Sequence, residues 1–151
     1  MRDVNCLRNE LSRTEEGRWA LDFLSRQELP FRIPAIFTAS GDHDTVEVTV
    51  APIFGSRPGI RFRTDTLRKG LEIHPEYDTP DVRRALAILQ AEIDNRDLTI
   101  EAYLKADSII FINNHEALHG REPFTDFNRH VLRIRVAEET RDTARTLDRA
   151  A

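Results

Sequence analysis

The chain has 151 residues, 40% of them hydrophobic, with 22 Lys and Arg against 26 Asp and Glu for a formal charge of -4, which is enough for one domain with a real core and rules out disorder throughout. The arginines are scattered among acids rather than gathered into a basic stripe, so nucleic acid is not an expected partner. No apolar run reaches the roughly 18 residues of a membrane span, the charged start Met1-Arg2-Asp3 is unlike a signal peptide, and the single Cys6 excludes an internal disulfide or a multi-thiolate metal site. The expected compartment is the cytoplasm, with no membrane contact.

In chain order, the first helix is expected from Thr14 as N-cap through Trp19, Leu21, Phe23 and Leu24, with Gly17 as a blemish. Residues 31–37 are β-rich, residues 41–44 are turn-like, and Val46, Val48 and Val50 alternate with Glu47 and Thr49, which predicts a hairpin with one wet face. A short strand follows at residues 59–63, then a loop at 75–79. Thr79 and Pro80 suit the N-cap and N1 positions of a helix whose apolar face is Val82, Leu86, Leu89 and Ile93. Two more strands are expected, a buried one at 108–112 ended by Asn113-Asn114 and an alternating one at 131–136. A polar tail closes the chain.

Chemistry concentrates in residues 108–136, which hold His115, His119 and His130. One reading is the zinc-peptidase pattern His115-Glu116-x-x-His119, which requires both imidazoles on one helical face. The strand-like sequence before it and Gly120 after it argue against that helix, and on a strand the two histidines would stand about 13 Å apart. The other reading takes His119 alone as a metal ligand. Period-two alternation then puts Arg129 and Arg133 on one strand face, where a guanidinium can clasp a carboxylate through paired hydrogen bonds.

The run Asn113-Asn114-x-x-x-Leu118-His119-Gly120-Arg121-x-x-Phe124, followed by Arg129-His130-x-Leu132-Arg133, resembles the C-terminal motif of the iron(II)/2-oxoglutarate oxygenases related to taurine dioxygenase, clavaminate synthase and asparagine oxygenase. The resemblance implies an α+β, mostly β fold: a double-stranded β-helix of the jelly-roll or cupin kind, incomplete here, with flanking helices. It would span residues 1–136, leaving 137–151 as the tail. It further implies iron(II) and 2-oxoglutarate as cofactor and cosubstrate, His119 as the distal iron ligand, Arg129 as the contact to the far carboxylate of 2-oxoglutarate and Arg133 as a second anion contact. The implied activity is hydroxylation of a small molecule, an amino acid or related metabolite.

Such an iron centre needs two His and one carboxylate. The chain has one His-x-Glu tripeptide, His74-Pro75-Glu76, where its 5 His and 26 acids predict about one by chance, and it sits after the strands that should follow the true pair. The proximal pair is therefore expected before residue 1, making the chain an N-terminally shortened oxygenase that is inactive alone or self-associates through exposed strand edges. A non-catalytic remnant acting as an anion-binding module, and the zinc peptidase, stand as alternatives.

Overall fold

Short polar side chains mark the helix starts. A computed structural model of the chain describes residues 1–34, 46–55, 59–120, 125, 132 and 134. Asp3 accepts a hydrogen bond from the Cys6 backbone N–H at 2.7 Å ahead of α1 (Val4–Leu11). Thr14 accepts from Gly17 at 3.0 Å ahead of α2 (Glu15–Arg26), and Thr79 accepts from Val82 at 3.3 Å ahead of α4 (Pro80–Asp94), with Pro80 at its first turn. Each such bond satisfies a donor that the helix itself cannot, typically for about 1 kcal/mol. The third helix, α3 (Thr64–Ile73), follows Arg63, which makes no side-chain cap bond.

Apolar spacing then decides which faces meet. Val4, Leu7 and Leu11 of α1, Ala20 and Leu24 of α2, and Val82, Ala85 and Leu89 of α4 are buried in one cluster. Complete burial of such aliphatic side chains stabilises by about 1.5–3 kcal/mol each before the entropy of ordering is counted. At the rim, Trp19 stacks on Phe23, and the Arg84 guanidinium lies 4.7 Å from the Trp19 ring while reaching Glu16 at 3.0 Å. Gly17 is no blemish. A Cβ there would strike the Leu11 carbonyl oxygen, so glycine is what lets the first turn of α2 close onto the end of α1.

Strand β2 (Leu29–Arg32) pairs antiparallel with β3 (Val48–Ala51) in the register Leu29↔Ala51 to Arg32↔Val48. Helix α3 lies on β2 with Gly70 against the Pro30 carbonyl, again too close for a Cβ. Ile53 and Phe54 continue the core beyond β3, and Arg8 sits 4.7 Å over the Phe54 ring. A second two-stranded sheet joins β1 (Arg2–Asp3) to β4 (Ala117–Leu118), antiparallel, with Arg2 opposite Leu118.

The chain divides into two compact units, residues 1–121 and 122–151. Of the second, only residues 125, 132 and 134 are described, and Leu132 and Ile134 are exposed. The helices expected after Thr14 and Thr79 are present, as is the pairing of the Phe31 strand with the Val48 strand; the turn between those strands and most of 131–136 lie outside the described residues. The fold is α+β, but the expectation of a mostly β structure is corrected. Among the described residues the strands are short, they form two-stranded sheets, and no closed barrel is present. Residues 59–63 and 108–112, expected as strands, are irregular, while α1 and α3 were not foreseen. A strand needs a partner to supply its hydrogen bonds, whereas a helix closes its own. No described helix is long and apolar enough to cross a membrane.

Candidate functional site

The motif around His119 is positioned from Asn113 onward. The Asn113 carbonyl accepts hydrogen bonds from Glu116 at 3.1 Å and from Ala117 at 3.0 Å, and its side-chain oxygen accepts from the His115 N–H at 3.1 Å. This is a single turn, and the chain leaves it at once into β4. Just before β4 the Glu116 carbonyl accepts from Val4 N–H at 2.8 Å, and the His115 carbonyl accepts from Ile60 N–H at 3.1 Å. His119 is the first residue past β4 and is exposed. The asparagine pair was legible as part of the motif, but its work as the knot that aims β4 was not; an Asx side chain binding a backbone N–H two residues on is the signal that could have shown it.

This geometry removes the basis of the zinc-peptidase reading. His115 lies in the turn and His119 lies beyond a strand, so the two imidazoles do not share a helical face four residues apart. Arg129 and Arg133, the expected anion contacts, lie outside the described residues, as does His130.

His74-Pro75-Glu76 is a surface pair. His74 follows the last turn of α3, Glu76 lies in the 3-10 turn Pro75–Tyr77, and the His74 Nδ1 and Glu76 Oε1 are 3.0 Å apart. The Glu76 backbone N–H, and after it the His74 ring, hold the Glu76 carboxyl below the usual glutamate value. The His74 ring also meets Tyr77 edge-on at 6.3 Å. Among the described residues no group of three or more His, Cys, Asp or Glu is arranged to hold a metal ion. Those residues therefore do not by themselves fit an iron(II) centre of two histidines and a carboxylate, and His74 and Glu76 gather no third ligand.

No curated protein and no solved structure matches the chain. The family model of the taurine catabolism dioxygenase TauD, TfdA family matches residues 24–135, from the end of α2 through the whole of the His119 to Arg133 motif, and the chain belongs to that family.

Proposed function

We propose that the chain forms the cosubstrate-clasping, C-terminal part of an iron(II)/2-oxoglutarate-dependent hydroxylase acting on an amino acid or related small metabolite. In this reading His119 is one iron ligand, Arg129 pairs with the far carboxylate of 2-oxoglutarate and Arg133 makes a second anion contact. The remaining iron ligands come from outside the described residues. The carrying observation is the family match over residues 24–135, and the non-helical placement of His119 agrees with it. Anaerobic addition of iron(II) and 2-oxoglutarate to the purified chain should produce a visible charge-transfer band that His119→Ala and Arg129→Gln each abolish. If no band forms, and 2-oxoglutarate binds feebly and without dependence on iron, the chain is a non-catalytic anion-binding remnant instead.

Self-association accompanies this reading. Residues 108–112 join no sheet among the described residues, and Tyr103, Ile109 and Phe111 are 90%, 82% and 91% exposed. The two aromatic side chains alone offer on the order of 300–400 Å², a large share of the roughly 800 Å² each partner contributes to a standard interface. A second copy of the chain is the occupant that supplies the same exposed apolar segment in return. Sedimentation should show mass rising with concentration, and Phe111→Ser with Ile109→Ser should return the chain to a monomer; a wild-type chain monomeric at all concentrations would remove this element.

A further inference from the structure

Arginine pairing in the described part of the molecule is thorough, with two exceptions in one place. Arg13, Arg26, Arg63, Arg68, Arg83, Arg84 and Arg96 each form an ion pair with a carboxylate. Arg2 reaches both Glu92 and the Asn95 carbonyl, Arg8 bonds the Gly59 carbonyl above Phe54, and Arg18 bonds the Ser12 carbonyl. Among the described residues only the guanidiniums of Arg32 and Arg61 have no hydrogen bond, ion pair or ring contact. Both line the same cavity, of about 230 Å³.

The cavity is built from four segments. Strand β2 brings Phe31 and Arg32, β3 brings Thr49, the segment before α3 brings Arg61, Phe62 and Arg63, and α3 itself brings Thr66. An adjoining hollow of about 250 Å³ shares Arg32 and Arg63 and adds Lys69, which also has no partner among the described residues. Arg63 is already neutralised by two hydrogen bonds to Asp65, at 2.7 and 2.9 Å. Two uncompensated cations, Arg32 and Arg61, thus line a space together with the buried Phe31 and the half-buried Phe62, and Lys69 joins Arg32 in the adjoining hollow. In a chain of net charge -4, such a concentration runs against the average field, and a low-dielectric wall strengthens it locally.

We propose that this cavity binds a compact organic dianion with a flat apolar body, its carboxylate or equivalent groups held by Arg32 and Arg61, assisted by Lys69, and its body resting on Phe31 and Phe62. Arginine forks suit planar carboxylates through paired hydrogen bonds, and guanidiniums beside aromatic rings suit a ligand having both features. The site depends on neither iron nor His119.

Phthalate, titrated into the full chain by calorimetry, is the probe, with its neutral diamide as control. Phthalate should bind and the diamide should bind at least about tenfold more weakly, since hydrogen bonds to charged groups are each worth roughly that factor or more. Arg61→Gln should lower phthalate affinity about tenfold; Arg61 is exposed and lies outside any helix or strand, so the fold survives the change. Arg32→Gln should act alike, while Arg129→Gln and His119→Ala should leave phthalate binding intact. The proposal is overturned if phthalate does not bind, if the diamide binds equally, or if Arg129→Gln rather than Arg61→Gln removes binding. The hydroxylase reading stands or falls separately, on the iron-dependent absorption.

Discussion

Two parts of this chain are rich in apolar residues and opposite in outcome. In the helical layer, Leu7, Leu24 and Leu89 are completely buried, whereas in residues 100–112 Ile100, Tyr103, Ile109 and Phe111 are 62%, 90%, 82% and 91% exposed. The helices satisfy their own backbones and need only one another's faces, which three of them supply within the first 94 residues. A segment such as Ser108-Ile109-Ile110-Phe111-Ile112 has β-branched and aromatic character, but it gains burial only when another strand pairs with its edge. Hydrophobicity states a demand; topology decides whether it is met. Substitution breaks the comparison most directly. Leu24→Ala should cost about 2–5 kcal/mol, because a cavity opens inside a closed cluster. Phe111→Ser should change monomer stability by no more than about 0.5 kcal/mol. Chemical denaturation of both variants, at a concentration where the chain is monomeric, measures the contrast; equal losses would mean that the exposed segment is part of the core.

A smaller effect sharpens the same point from inside the helical layer. Alanine at Gly17 would normally stabilise a helix by up to about 1 kcal/mol. Here the added Cβ meets the Leu11 carbonyl oxygen, so Gly17→Ala should instead destabilise by about 1–3 kcal/mol as α1 and α2 are forced apart. A gain in thermal midpoint would show that the approach of the two helices is not tight.

Thr14 and Thr79 announced their helices because a cap is a local device, readable from a few adjacent residues. Asp3, with Val4, Leu7 and Leu11 behind it, carried the same information for α1 but was read only as part of a charged start. Helix α3 lacks a side-chain cap and carries Gly70 in its last turns, so its propensity understated it; it is held by packing on β2, a contact distant in sequence. The site divides likewise. His119 and its Asn113-Asn114 lead were legible because the motif is contiguous. The Arg32 and Arg61 cavity was not, because one residue sits on β2 and the other before α3, and no periodicity within either segment points to the other. What the sequence overstated was strand content: alternation describes a strand's faces but not whether its edges find partners.

The smallest expected effect concerns the charge beside that cavity. The Asp65 carboxyl lies below its usual value of 3.8, chiefly because the Arg63 side chain hydrogen-bonds it, with partial burial opposing and the Arg63 charge and the Thr66 N–H assisting. A carboxyl whose folded value is depressed adds stability above its unfolded value near 3.8, and that contribution disappears as pH falls through the lower folded value. Both side chains are more than half exposed, so solvent screening limits the pair to about 0.2–1 kcal/mol. Arg63→Gln should therefore return the Asp65 titration, followed by NMR, toward 3.8. It should lower the unfolding free energy relative to wild type at pH 6, with the difference disappearing as pH falls through the depressed folded value. Because Asp65 would then be free to face the hollow, the same variant should weaken rather than strengthen phthalate binding: removing the arginine leaves a carboxylate uncompensated beside Arg32 and Lys69. A stronger interaction would mean that Arg63 repels the dianion's surroundings rather than neutralising its acidic neighbour.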